Sequence, residues 1–173
     1  MSTFKQVQAI ALLPGMVTIV VPGIIIYRTG TVNLGWSLTL PFNIAPLALG
    51  VLLIGLGFFL WLQTTILFVT IGKGTLAPWS QTQKLVVHGI YRHVRNPMIS
   101  GVGGILLGEA ILLGSIPLLY WFLFFMLLNM LHTPLLEEPG LAHRFGDDYL
   151  LYKKNVPRWI PRLRPWNAPF DEA

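Results

Sequence analysis

The chain has no cysteine, and no Asp or Glu precedes Glu109. The first absence excludes disulfides, thiolate metal sites and Cys nucleophiles. The second belongs to a general scarcity of charge: only 11% of residues are charged, against roughly a quarter in soluble domains, while 54% are hydrophobic. Between Lys5 and Lys73 the sole ionised side chain is Arg28. Such a stretch describes a membrane protein. No grouping of His with acids has metal-ligand spacing, so no metal is expected.

The net charge of +5 raises the question of nucleic acid. Residues 133–173 hold six Lys/Arg and six Asp/Glu, so that tail is neutral. The excess comes from Lys5, Arg28 and the loop cations Lys73, Lys84, Arg92 and Arg95, less Glu109. No basic stripe interleaves with aromatics, and the pattern reads as a topology signal with no nucleic-acid partner.

Four segments approach the roughly 20 apolar residues that a hydrocarbon core needs: about 7–27, 46–70, 98–114 and 116–132. The first lacks a small-x-small cleavage pattern and reads as a retained helix, kinked at Pro14-Gly15 and Pro22-Gly23. Pro41 and Pro46 exclude a full span over 30–45 and leave room for a short re-entrant piece. Only Gly114-Ser115 separates the last two segments, and Pro117 suits the first turn of a new helix, so they must form a tight hairpin. The expected fold is all-α: a multi-pass transmembrane helical bundle of about four spans, with a cytoplasmic C-terminal helix. It is one membrane domain over 1–173, with N-terminal helices in 1–75 and a core with cytoplasmic tail in 76–173. The positive-inside rule places loop 71–97, tail 133–173 and Lys5 in the cytoplasm, with only Arg28 outside.

Helices rise about 1.5 Å per residue, so hairpin positions whose numbers sum to about 229 lie at one depth. Tyr91 to Asn96 therefore arrives at the membrane surface beside Leu135-Leu136-Glu137-Glu138. One side supplies Arg92 and Arg95 ahead of the glycine-rich Gly101-Val102-Gly103-Gly104, where backbone can approach a ligand closely. The other supplies two carboxylates. Such a mixed pocket can hold a zwitterion; alternatively Glu137 and Glu138 pair with Arg92 and Arg95 as a structural clasp. Beyond it Leu141, Phe145, Tyr149 and Tyr152 share one helix face. That face either lies on the bilayer or packs on the bundle, and the two tyrosine hydroxyls are also candidates to line a site. The tail Val156 to Trp166 alternates Arg with Trp and Pro, a pattern suited to the headgroup region.

The stretches LVVHGIYRHVRNPMISGVGG and, a hairpin later, EEPGLAHRFGDDYLLYKKNVPRWIP resemble the isoprenylcysteine carboxyl methyltransferase and phospholipid methyltransferase superfamily. The resemblance covers roughly residues 80–161. It implies an integral-membrane methyltransferase that uses S-adenosylmethionine. It implies, too, that Gln83, Leu85, Val86, Tyr91, Asn96, Pro97, Met98 and Ile99 contact the cofactor and that Glu137 binds its polar end. Gly101 and Gly103 match the Gly-x-Gly of the phospholipid enzymes, and Arg95 and Glu138 complete the two motifs as candidate catalytic residues. The usual Arg-His-Pro-x-Tyr is here Arg95-Asn96-Pro97-Met98-Ile99, and the substrate-holding Arg of the prenylcysteine enzymes is here Thr133.

The expected reaction is methyl transfer to a lipophilic, membrane-embedded acceptor: an isoprenylcysteine-like carboxylate, a phospholipid amine or another lipid. For an amine, Glu138, His93 and His132 are the nearby candidate bases. The active site would face the cytoplasm, from the plasma membrane of a prokaryote or the endoplasmic reticulum of a eukaryote. Two other readings stay open: an NADPH-dependent membrane reductase of sterol type, and a noncatalytic scaffold or transporter subunit. Glu109 reads as hydrogen-bonding or snorkelling at the far interface, and Gly104 with Gly108 as a helix-packing pair.

Overall fold

Apolar residues without strand-like alternation leave the helix as the only open-ended way to satisfy backbone hydrogen bonds in lipid. The computed structural model describes residues 13–72 and 83–169; the start of the expected first span, Lys5 and Lys73 lie outside them. Every regular element among the described residues is helical. A π-type turn, Met16–Val20, leads into α1 (Val21–Thr29), followed by α2 (Ile44–Thr70), α3 (Pro97–Leu112), α4 (Ile116–His132) and α5 (Glu138–Asn155). Three runs are long and apolar enough to cross a membrane: Leu13–Ser37, Ile44–Thr70, and the run beginning at Ile116, whose apolar part is α4. α3 is apolar but, at 16 residues and about 24 Å, shorter than the hydrocarbon core. Large apolar side chains such as Leu52, Phe59 and Leu127 stay exposed, as lipid-facing residues must.

The described residues form two compact units, 13–61 with 99–129, and 62–72 and 83–98 with 130–169. In the first, α2 and α3 touch backbone to backbone through glycines. A Cβ on Gly57 would lie 2.5 Å from the Gly101 carbonyl oxygen, and one on Gly108 would lie 2.8 Å from that of Gly50. The two glycine pairs are seven residues apart on each helix, two turns along one face, so close approach repeats down the seam. Between α3 and α4 the chain reverses at Gly114, whose positive φ of 55° suits glycine. Residues 30–45 close over this reversal: the Asn33 amide donates to the Leu113 carbonyl at 2.7 Å, and Trp36 Nε1 donates to that of Ile111 at 3.0 Å. Glu109 Oε2 is buried there with no hydrogen-bond partner among the described residues.

In the second unit α4 passes into α5 without a loop. Thr133–Glu137 form a π-type turn, with the Glu138 amide donating to the Thr133 carbonyl. Pro139-Gly140, which as a residue pair reads as a helix breaker, therefore breaks nothing. Pro139 occupies the first turn of α5, where its missing N–H costs no bond, and the chain bends instead at Gly146, with φ 56°. The face carrying Leu141, Phe145, Tyr149 and Tyr152 packs on protein, around Val87, Val156, Ala168, Leu85 and Trp166.

Candidate methyl-donor site

The site begins with hairpin geometry. Asn96 Nδ2 donates to Thr133 Oγ1 at 3.3 Å, a pair whose numbers sum to the level value. In the other unit Gly103 and Met126 repeat the relation: a Cβ on the glycine would lie 2.8 Å from the sulfur. The stretch Arg92 to Asn96 is held in turn by the tail. The Arg95 amide donates to the Pro157 carbonyl at 2.9 Å and the Asn96 amide to that of Arg158 at 3.2 Å. The Arg162 and Trp166 amides donate back to the His93 and Arg92 carbonyls, each at 3.0 Å.

These contacts bring cations onto Glu138. Its carboxylate, 3% exposed, lies 2.8 Å from the Arg95 guanidinium, 2.6 Å from that of Arg158 and 2.8 Å from Lys153 Nζ. Arg95 also donates to Tyr149 Oη at 3.2 Å and to the Val156 carbonyl at 2.9 Å. Burial alone would raise the Glu138 carboxyl, but hydrogen bonds from Arg158 and Lys153 and the charge of Arg95 hold it down to about 2. This is the clasp reading of the carboxylates, realised among the described residues by Glu138 alone. Arg92 takes no part; its Nε donates to the Trp166 carbonyl at 3.0 Å.

Glu137 lies elsewhere although it is the next residue, because consecutive helical side chains diverge by about 100°. It is half-buried and accepts a hydrogen bond from Thr133 Oγ1 at 3.3 Å. Among the described residues no cation approaches it within ion-pair distance. Burial pushes its carboxyl up, partly offset by the Thr133 hydrogen bond and the charges of His132 and Arg95. A half-buried carboxylate without a cation is suited to receive one from a ligand.

The remaining residues of the two motifs divide between the units. Tyr91, Val86, Pro97 and Met98 are buried in the same unit as Glu137, with Leu85 half-buried and Gln83 exposed. Tyr91 stacks edge-on against Phe68 and its carbonyl accepts from Tyr152 Oη at 2.7 Å. Ile99, Gly101 and Gly103 belong to the other unit. There Gly101 abuts Gly57, Leu60 and Trp61, so its missing side chain makes room for α2. His93 Nδ1 is engaged with the Arg162 carbonyl at 2.8 Å, and His132 is exposed.

Sequence reasoning missed Lys153 and Arg158 as partners of Glu138, and Thr133 as the bridge to Glu137. Thr133 had a usable signal, since its four-residue spacing from Glu137 puts both on one helix face. Arg158 had none beyond its place in VPRWIP, because only the folding back of the tail carries it to Glu138. Among the described residues no three His, Asp or Glu side chains gather as a metal site.

In comparison with known proteins, the chain matches the model of the phospholipid methyltransferase family over residues 45–148, an interval containing every candidate residue from Gln83 to Glu138. No curated protein and no solved structure matches the chain.

Proposed function

Because this chain belongs to the phospholipid methyltransferase family of membrane methyltransferases, we propose that it transfers a methyl group from S-adenosylmethionine to a lipophilic acceptor in the bilayer. The observation that carries this reading is the division of labour between adjacent carboxylates. Glu138 is paired with three cations, whereas Glu137 is half-buried and, among the described residues, is met by the Thr133 hydroxyl and no cation.

The donor set fits the cofactor. Glu137 would accept from its α-ammonium or ribose hydroxyls. Tyr91, Leu85, Val86 and Met98 would supply apolar and aromatic surface for its adenosyl part. Bound, S-adenosylmethionine supplies an electrophilic methyl group on a sulfonium centre. The protein's contribution is positioning and exclusion of water. Arg95 and Glu138 are proposed as positioning residues: a carboxyl held near 2 by three cations is a poor proton acceptor at neutral pH.

One difference from the prenylcysteine enzymes supports an amine as the acceptor class. Thr133 provides a hydroxyl where the prenylcysteine enzymes that this chain resembles carry a substrate-holding Arg, which favours an amine over a carboxylate. The cations of loop 83–97 support an active site on the cytoplasmic side by the positive-inside rule. The test is incubation of the purified protein with radiolabelled S-adenosylmethionine and bilayer lipids, followed by identification of the product. Label in an aminolipid is expected. A purified protein that binds NADPH and not S-adenosylmethionine would favour the reductase reading instead.

A further inference from the structure

Thr133 is 1% exposed and sits at the end of α4 with a hydroxyl used on both sides. Asn96 Nδ2 approaches it at 3.3 Å and Glu137 Oε2 at 3.3 Å. The amide of Asn96 carries the hydrogens in the first contact, so the hydroxyl accepts there. An ionised carboxylate can only accept, so the single hydroxyl proton points to Glu137. The Thr133 hydroxyl thus accepts once and donates once, and the chain Asn96 to Thr133 to Glu137 runs in one direction.

Around it the backbone is tied at both ends. The Asn96 amide donates to the Arg158 carbonyl, and the Thr133 carbonyl accepts the Glu138 amide across the π-type turn. The turn adds one residue to the helical repeat, which sets the direction in which Glu137 leaves the helix.

We propose that Thr133 is the positioning residue that aims Glu137 at its ligand, coupling the Arg95-Asn96-Pro97 motif to the Glu137-Glu138 motif through one hydroxyl. The proposal rests on Glu137 receiving the methyl donor, and it adds that the orientation of this carboxylate is set one turn back on its own helical run, by a hydroxyl that Asn96 holds from the other side of the hairpin. A hydroxyl donating to the carboxylate favours its charged form. The other groups acting on Glu137 are His132 and Arg95, which favour the charged form, Glu138, which opposes it, and the Tyr91 and Tyr149 phenols.

The experiment is calorimetric titration of the full chain in lipid nanodiscs with S-adenosylhomocysteine, from acid to neutral pH. Wild type, Thr133→Val, Thr133→Ala and Thr133→Ser are compared, each with its thermal melt. Val keeps the shape and removes the hydroxyl; Ser keeps the hydroxyl. Val and Ala are expected to weaken binding about tenfold and to move the pH at which binding is lost upward. Ser is expected to stay within about twofold of wild type. Val binding like wild type with an unmoved pH profile would overturn the proposal, as would Ser binding as weakly as Val. Should Val fail to fold, Ala and Ser make the same comparison. Wild-type protein that binds no S-adenosylhomocysteine would instead defeat the methyl-donor reading itself.

Discussion

The Arg95 guanidinium lies 2.8 Å from the Glu138 carboxylate, with 8% and 3% of the two side chains exposed. Two charges so far removed from water are tolerable only together. Removing one strands the other at a cost of about 3–5 kcal/mol. Glu138→Ala is therefore expected to lower the melting temperature sharply, measured by fluorescence-detected unfolding in detergent.

The same pair dictates an acid limit. The Glu138 carboxyl is held at about 2 in the folded protein, below its ordinary value of 4.5. Its contribution is fully present above the unfolded value and is lost as pH falls from about 4.5 toward 2. Melting temperature should decline across that window. In Glu138→Gln, destabilised at neutral pH, the decline should be shallower; an equally steep decline would show that other groups control acid unfolding.

Two glycines two residues apart on α2 give opposite expectations. A Cβ on Gly57 would meet the Gly101 carbonyl, whereas one on Gly55 would meet nothing within 4 Å. Gly57→Ala should cost about 1–3 kcal/mol by forcing the helices apart. Gly55→Ala should be neutral or stabilising by up to about 1 kcal/mol, since alanine is the better helix former. Thermal melts of the two variants check this, and equal melting temperatures would contradict the glycine seam.

The hairpin was legible because its geometry is local. A two-residue reversal and a fixed rise make Asn96 level with Thr133 and Gly103 level with Met126. The glycine cluster was legible as composition, but not its partner, since nothing in Gly101 or Gly108 says that Gly57 and Gly50 lie opposite. The clasp was half-legible: depth counting brought Arg95 to Glu138, yet Arg158 and Lys153 arrive through the bend at Gly146 and the return of the tail. Pro139-Gly140 has the composition of a helix breaker and yet lies inside the helical run, because a proline breaks a helix only where its N–H was needed.

The absence of cysteine makes topology directly measurable. Arg28 and Lys84 are both exposed. With Arg28 external and Lys84 cytoplasmic, Arg28→Cys should react with a membrane-impermeant maleimide on intact cells. Lys84→Cys should react only after permeabilisation. The reverse pattern would invert the proposed orientation.

Binding of the methyl donor at Glu137 is decided by titrating S-adenosylhomocysteine into wild-type protein and Glu137→Gln, with thermal melts alongside. The substitution preserves shape and removes a charge that pairs with no cation among the described residues, so its melt should stay close to wild type. The predicted result is at least a tenfold loss of affinity. Equal affinity of the two proteins would remove Glu137 from the site and contradict the functional assignment built on it.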